Sequence, residues 1–423
     1  MQNVTHLLRA RRFMPLFATQ FLGAFNDSLF KQAVVLFVTY QLYSNAAKEF
    51  QFSAIAQGLF ILPFFLFSAV AGQLADDHDK SKIIRIVKLA EIGIMLIGGA
   101  GIMLANIPLM LAAVCMMGVH STFFGPIKYA ILPQHLRRDE VLGGTGLVEA
   151  GTYIAILGGT ILAGLLATSP EVAAAATVGI AILGLLAGRQ VPPAPASSER
   201  IPFDRHIIRA SVRLVSATLH IPRLFLAICS ISFFWTIGAV LIIIFPPLVK
   251  NVLGADEQVA SLFIAIFSIG IAIGSVLINR LLKSEVSARY SPASVIAMGV
   301  FVLLLHFVAL NWGEHGVELT TLGNFLFNPM AGLMILALLG VAITGGMFVV
   351  PLYAFLTTTV PKTETARTVA ANNIVNSGAM VIGSLVAYAL SSAGVGPVRQ
   401  LLLVAAMCLV SAWLGWRLHL ACD

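Results

Sequence analysis

The chain has 423 residues, of which 58% are hydrophobic and only 11% charged, and its mean hydropathy is +0.93. Because soluble domains carry about 25% charged residues, this composition excludes a soluble globular domain and predicts a membrane protein. The net charge of +7 follows from lysine and arginine concentrated in the loops of one side. It therefore indicates membrane topology and not a nucleic-acid partner.

Twelve apolar stretches are long enough to cross a bilayer, which takes about 20 residues each. The sequence therefore predicts an all-α membrane protein with twelve transmembrane helices. The predicted spans are 14–40, 54–76, 83–105, 108–132, 141–168, 170–189, 223–250, 258–281, 291–311, 329–357, 366–391 and 397–418.

The first span contains the segment AFNDSLFK, in which Asp27 and Lys31 lie one helical turn apart on one face. A charge at bilayer depth costs about 2.5–3.5 kcal/mol, so this face is predicted to line a polar interior. Two interpretations stay open: the pair neutralises itself as a packing device, or a zwitterionic or anionic head group exchanges partners with it. Asn26 adds a hydrogen-bond donor and acceptor beside the pair.

The loop after the second span reads GQLADDHDKSKII. It resembles the signature between helices 2 and 3 of the major facilitator superfamily, G-x-L-a-D-r-x-G-r-k, with Asp77 and Asp79 where arginine and glycine are usual. The resemblance implies a loop that latches two halves of the protein on the cytoplasmic side through ion pairs that break during transport. The predicted gate residues are Gly72, Asp76, Lys80 and Lys82.

Further ionisable residues lie within the third to fifth spans. Lys128 follows a Gly-Pro pair that opens the helix, and it either snorkels to the interface or binds a ligand. Glu91 and Glu149 lie about 12 Å into their spans, where each either takes up a proton or pairs with a lysine. His120 and His306 are isolated in sequence; each is interpreted as a satisfied core histidine, and a proton relay is the alternative that stays open.

The longest polar connection divides the chain in two. It opens with VPPAPASSER, which is typical of a stiff linker, and continues as RHIIRASVRLVSATLH. This second part predicts a basic amphipathic helix on the inner membrane surface, because its arginines recur every four residues. The predicted domains are an N-terminal six-helix half at 1–189, a cytoplasmic linker at 190–222 and a C-terminal six-helix half at 223–423.

An internal repeat supports the two halves. When the chain is aligned with itself at one fixed offset, without gaps, Phe123 pairs with Phe348 and Pro126 pairs with Pro351. Spans 4–5 and spans 10–11 are therefore predicted to be copies in the same orientation. Parallel halves related by an axis along the membrane normal are the arrangement of major facilitator transporters, in which the substrate path runs between the halves near the midplane.

The two halves differ in charge. At the same offset Lys128 pairs with Tyr353 and Glu149 pairs with an isoleucine, and the second half offers amides and aromatic rings in place of charges. The sequence predicts one charged wall and one uncharged wall. Such a lopsided site suits an amphiphile, whose ionic head and apolar tail need different surroundings. The candidate residues of the uncharged wall are Tyr353, Asn372 and Asn376.

When successive predicted loops are assigned alternately to the two sides of the membrane, most of the 26 lysines and arginines fall on one side. The positive-inside rule then places both termini in the cytoplasm. The four cysteines are scattered and predict neither a disulfide nor a metal site. No cofactor is predicted, and an ion that couples to transport stays open.

Taken together, several segments resemble the bacterial lysophospholipid transporter branch of the major facilitator superfamily. They are AFNDSLFK at 24–31, GQLADDHDKSK at 72–82, GPIKYAILP at 125–133, GLVEAGTYIAILGG at 146–159 and GGMFVVPLYAFL at 345–356. The resemblance implies a flippase of the bacterial inner membrane, and not an enzyme. It would return lysophospholipids, chiefly lysophosphatidylethanolamine, from the outer to the inner leaflet, with Asp27 and Lys128 recognising the head group.

The resemblance also implies partners. The substrate would come from the surrounding membrane lipids and be reacylated by an acyltransferase and acyl-carrier-protein synthetase, either separate or fused to a longer form of this chain. Two alternatives stay open from the residues alone. One is a proton- or cation-coupled carrier of a soluble solute with Asp27 or Glu149 as its coupling group, and the other is a membrane scaffold that transports nothing.

Overall fold

The computed structural model describes residues 4–196, 206–282, 287–313, 318–358 and 365–422, and nearly all of them are helical. The predicted all-α class is therefore confirmed. The helices in chain order are α1 (Met14–Phe37), α2 (Ala46–Asp77), α3 (Lys80–Met103), α4 (Ile107–Ala130), α5 (Leu132–His135), α6 (Arg138–Leu166), α7 (Pro170–Arg189), α8 (Ile207–Leu219), α9 (Pro222–Asn251), α10 (Glu257–Leu281), α11 (Ser291–Leu310), α12 (Leu322–Leu326), α13 (Pro329–Thr358), α14 (Thr365–Ser392) and α15 (Pro397–Cys422).

Within the described ranges, 11 helices are long and apolar enough to cross a membrane, and α6 adds a shorter apolar segment at Ala150–Leu166. Each of the twelve predicted spans thus has a helical counterpart. The second span is the one whose start differs most from the prediction, because α2 begins at Ala46 and not at 54. Its first turns contain Lys48 and Glu49, so hydropathy alone misses them.

The chain forms two compact units. The first comprises Met1–Phe37 with Leu66–Ala210, and the second comprises Val38–Phe65 with Ser211–Asp423. The predicted halves at 1–189 and 223–423 stay predictions.

In the first unit, α1 packs against α6 and α7, and α3 packs against α4 and α7. The contact between α1 and α6 is close because Gly159 has no side chain. A Cβ there would collide with the backbone oxygen of Phe25. Helices that approach through small residues bring their neighbouring polar groups within hydrogen-bond reach.

In the second unit, α13 packs against α10 and α11, and α9 packs against α14 and α15. Gly274 of α10 faces the backbone of Ile343, and Gly346 of α13 faces the backbone of Ile271, so two glycines bring these helices together reciprocally. One turn past α1, residues Val38–Leu42 form a π-helix that belongs to this unit.

The start of the predicted linker is anchored to the first unit. The backbone N–H of Lys80 donates to the carbonyl of Ala194 at 2.9 Å, and the N–H of Ala194 donates to Asp79 at 3.3 Å. Residues 197–205, which include Arg205 of the predicted basic stripe, lie outside the described residues. The amphipathic segment that follows is helix α8, with Arg209 and Arg213 exposed.

Candidate functional site

A buried carboxylate, Glu91 of α3, is the centre of a polar cluster inside the first unit. Its side chain is 1% exposed. Lys88 donates its Nζ to Oε2 at 2.6 Å, and Asn26 of α1 donates its Nδ2 to Oε1 at 2.8 Å. His120 of α4 places its Nε2 3.3 Å from Oε2. Three helices thus bring three polar partners to one carboxylate, which stabilises its charged form.

Lys88 occupies a slot made of glycines. Its Nζ lies where a side chain on Gly23 of α1 would be, and its methylene groups run past Gly184 and Gly188 of α7. The ammonium also lies 5.1 Å from the ring centroid of Phe124, a favourable position for a cation. The side chain is completely buried. The packing of α1 and α7 is therefore shaped around this lysine.

The sequence did not identify Lys88 as a site residue. Lys88 was counted with the cationic residues of the loop after the second span, which were placed at the inner membrane surface. The structure corrects this. Helix α3 begins at Lys80, so Lys88 lies about 12 Å along the helix from its start. The signal that could have found it is its i, i+3 spacing to Glu91, which places the two charges on one helical face.

Asp27, the first predicted site residue, is half-buried on α1. The hydroxyl of Ser121 donates to its Oδ2, and within the described part of the chain its buried Oδ1 has no hydrogen-bond partner. Lys31 is half-buried one turn along the same helix. The structure thus joins Asn26 to Glu91 and Asp27 to α4, two contacts that the sequence did not predict.

The other residues that were predicted for the charged wall either lie apart from the Glu91 cluster or have side chains outside the described residues. Lys128 is half-buried in the last turn of α4, about 12 Å along that helix from His120. Glu149 belongs to α6, and its side chain lies outside the described residues.

The predicted gate contains one buried cation. Lys80 is 2% exposed, and its Nζ has no hydrogen-bond partner among the described residues, whereas Lys82 is exposed. The sequence placed both at the inner surface. Gly72 is half-buried on α2, and the side chain of Asp76 lies outside the described residues.

Asp79, which departs from the family signature, caps helix α3. Its Oδ1 accepts hydrogen bonds from the backbone and the hydroxyl of Ser81 at 2.9 and 2.8 Å. Partial burial alone would raise the pKa of this carboxyl, but the hydrogen bonds from Ser81 and Ala194 outweigh it and lower the pKa below its usual value. The aspartate therefore fixes where α3 starts and hence the depth of Lys88 and Glu91.

A second ionic group near the start of α6 was also missed. Arg12 donates to Glu140 Oε1 at 2.7 Å, and the backbone N–H of Arg137 donates to Oε2 at 2.9 Å. The hydrogen bond from Arg12, followed by that from Arg137, lowers the pKa of Glu140 to about 2. His6 lies 3.3 Å from the same carboxylate.

The second unit contains an uncharged polar group. Trp235 of α9 donates its Nε1 to the Tyr353 hydroxyl at 2.8 Å, and Ser232 donates to Asn376 Oδ1 at 2.7 Å. Asn372 is completely buried, and neither side-chain polar atom finds a hydrogen-bond partner in the described ranges. Trp235 and Ser232 are the members that the sequence did not include among its site residues. Their signal is helical spacing, three residues apart on α9.

An ion pair in the second unit ties α2 to the end of α9. Glu49 is completely buried and accepts from Lys250 Nζ at 2.6 Å and from the amide of Asn251. Lys250 also donates to the backbone oxygens of Thr39 and Tyr43. Among the described residues, no three histidine, cysteine or carboxylate side chains gather as metal ligands.

Comparisons with known proteins agree with this architecture. The sequence model of the Major Facilitator Superfamily matches residues 16–319. The chain is 27% identical over 352 residues to the lysophospholipid transporter LplT of Serratia proteamaculans, covering 82% of this chain and 80% of that protein. It is 27% identical over 379 residues to LplT of Citrobacter koseri, covering 88% and 87%. These matches confirm the resemblance seen in the sequence segments.

Among solved structures, the fold is similar to that of the POT family transporter PepTSo. The TM-score is 0.71 at 11% identity, over 98% of this chain and 99% of that chain. At this identity the likeness concerns the fold alone.

Proposed function

Because the chain belongs to the Major Facilitator Superfamily and is a multi-pass membrane transporter, we propose that its substrates are lysophospholipids, chiefly lysophosphatidylethanolamine. It moves them from the outer to the inner leaflet of the bacterial inner membrane by alternating access, and the lipid enters laterally. The names of its relatives support this substrate class.

The observation that carries the proposal is the environment of the Oδ1 atom of Asp27. A half-buried carboxylate whose Oδ1 has no partner in the described structure offers a hydrogen-bond acceptor to an ammonium group. Lys31, one turn away, offers a positive charge to a phosphate. A phosphoethanolamine head group carries both of these charges close together. Lys128 is the proposed second cation for the phosphate.

The uncharged group of the second unit is proposed as a lysolipid contact in its own right. The amide of Asn372 has a donor and an acceptor that are both without a partner among the described residues, and burial of such a group costs about 1–3 kcal/mol. The glycerol hydroxyl and the ester of a lysolipid would satisfy it. Trp235 and Tyr353 provide ring surface beside a polar edge, and both suit the start of an acyl chain.

The net charge of the head group determines the electrical work of moving it across the membrane. Moving one net negative charge inward against 100 mV opposes transport by about 2.3 kcal/mol. A zwitterionic lysophosphatidylethanolamine avoids this cost. Reacylation on the inner leaflet, by a separate or fused acyltransferase and acyl-carrier-protein synthetase, would remove the product and draw transport inward.

The proposal is tested with purified protein in liposomes and labelled lysophosphatidylethanolamine in the outer leaflet. We expect the wild type to move the label inward and Asp27→Asn to slow this at least tenfold, since the amide cannot pair with the ammonium. Glu171→Gln is the matched control, because it makes the same carboxyl-to-amide change at an exposed position on α7, and it should transport normally.

Two results would contradict the proposal. If the wild type leaves the label in the outer leaflet and instead takes up a soluble solute, the protein is a carrier of that solute. If Asp27→Asn flips lipid as fast as Glu171→Gln, the aspartate is only structural and the head group binds elsewhere.

A further inference from the structure

We propose that three consecutive residues of α1, Asn26, Asp27 and Ser28, form an anchor that fixes the rotation of this helix. In this anchor Asn26 and Ser28 are positioning residues for Asp27. The inference rests on the proposed function, in which Asp27 accepts a hydrogen bond from the ammonium of the head group. It adds the side chains that hold Asp27 in place for that contact.

Each residue of the anchor binds a different neighbouring helix. Asn26 donates its Nδ2 to Glu91 Oε1 of α3 at 2.8 Å. Asp27 accepts a hydrogen bond from the Ser121 hydroxyl of α4. Ser28 donates its hydroxyl to a backbone carbonyl of α6 at 2.9 Å. Successive residues of an α-helix point about 100° apart, so three residues in a row reach three directions.

The contact with α6 is close. A Cβ on Gly159 would lie 3.1 Å from the Cβ of Ser28. The Ser28 hydroxyl gives its single proton to the carbonyl of Ile156, so the Thr160 hydroxyl, 2.8 Å away, donates to it. The glycine thus brings the two helices to a distance at which Ser28 makes two hydrogen bonds.

The contact with α3 ends on a carboxylate that is itself fixed. Lys88 donates to the second oxygen of Glu91 at 2.6 Å, and both side chains are almost completely buried. Asn26 is completely buried as well. A buried ion pair is weak evidence for stability by itself. Here the pair gives Asn26 a partner in one fixed direction, which explains a use for it inside an apolar bundle.

The anchor determines how the Asp27 carboxylate is presented. One oxygen accepts from Ser121, and Oδ1 has no partner among the described residues. Rotation of α1 would turn this carboxylate away from α4, and it is opposed on two sides because Asn26 and Ser28 bind α3 and α6. The carboxylate is therefore oriented before a lipid arrives, and a preorganised contact avoids the cost of ordering it on binding.

A positioning role and a purely structural role predict different kinetics. Loss of stability reduces the amount of folded transporter, so it lowers the maximal rate and leaves the half-saturating lipid content unchanged. Loss of position weakens head-group binding and raises the half-saturating content. Flipping of labelled lysophosphatidylethanolamine in proteoliposomes, measured over a range of lipid contents, separates the two.

Two variants of the anchor are tested in this way. Asn26→Leu removes the contact with α3, and Ser28→Ala removes the contact with α6. Each should raise the half-saturating lipid content about tenfold, the effect of losing a hydrogen bond to a charged group, with little change in the maximal rate per folded protein. Ser28→Ala is the smaller change and gives the answer if Asn26→Leu does not fold.

Gln20→Leu is the matched control. Gln20 is also a buried amide of α1, 2% exposed, and it accepts a hydrogen bond from the Thr152 hydroxyl of α6 at 2.9 Å. It lies about two helical turns before Asp27, so its loss should leave the half-saturating lipid content at the wild-type value. A rise as large as that of Asn26→Leu would overturn the anchor, because any polar contact of α1 would then have the same effect.

The last measurement combines two variants. Because a positioning residue acts through Asp27, adding Asn26→Leu to Asp27→Asn should not raise the half-saturating lipid content further. An equal rise in both backgrounds overturns the anchor alone, as does an unchanged half-saturating content in both Asn26→Leu and Ser28→Ala. A wild type that moves no lysolipid under any condition overturns the proposed function instead.

Discussion

Two buried polar clusters, one around Glu91 in the first unit and one around Asn372 in the second, place polar groups inside an apolar bundle in different ways. Around Glu91 in the first unit a buried carboxylate is paired with a buried cation, Lys88, at 2.6 Å. The second unit buries an uncharged amide, Asn372, and gives it no partner among the described residues. Paired charges indicate a site organised in advance, whereas an unpaired amide indicates a site that a ligand completes.

The largest expected effect comes from breaking the charged interior. Lys88→Met leaves Glu91 buried without its cation, and the loss of one partner of a buried pair destabilises a protein by about 3–5 kcal/mol. A strongly lowered melting temperature of the purified protein in detergent would show this. The double variant Lys88→Met with Glu91→Gln should recover part of the loss, and no recovery would contradict the pairing.

A smaller effect is expected for the ion pair of the second unit, which differs because Lys250 is 16% exposed while Glu49 is completely buried. Glu49→Gln should lower the free energy of unfolding by about 2 kcal/mol, the value of hydrogen bonds to a charged group. Lys250→Met should lower it more, since it leaves the carboxylate buried with only Asn251. Melting temperatures of the two variants in the opposite order would contradict this assignment.

Removing the buried amide from the uncharged cluster of the second unit should raise the free energy of unfolding, whereas breaking the ion pairs lowers it. Asn372→Leu removes an unsatisfied buried amide and should raise the free energy of unfolding by about 1 kcal/mol, while lipid flipping in liposomes falls. Asn376→Leu is the matched control, because it removes the partner of Ser232 and should lower stability. If Asn372→Leu lowers stability too, its amide has a structural role and is not a ligand contact.

The long apolar stretches were sufficient to predict the helices, because a backbone in lipid must satisfy its own hydrogen bonds. The sequence also indicated Asn26 and Asp27, whose polarity in an apolar span is visible locally. The i, i+3 spacing of Lys88 and Glu91 on α3 was visible in the chain, but the contact of His120 with Glu91 was not, because it forms only when α3 and α4 pack. His120, interpreted as a core histidine, lies between two carboxylates, and no spacing in the chain reports that contact.

The smallest expected effect comes from an ionic contact of the first unit outside the apolar spans, where Arg12 binds Glu140. The pKa of Glu140 is lowered to about 2 from an unfolded value near 4.3. Its contribution to stability is therefore fully present above about pH 4.3 and is lost as the pH falls towards about 2. Melting temperatures measured across this window should fall further for the wild type than for Glu140→Gln, whereas Glu171→Gln, which alters an exposed carboxylate of the same unit, should follow the wild type. Equal slopes for wild type and Glu140→Gln would show that the Arg12 contact contributes nothing. In that case only the enclosed charges of this unit, and not those at its surface, would support its fold.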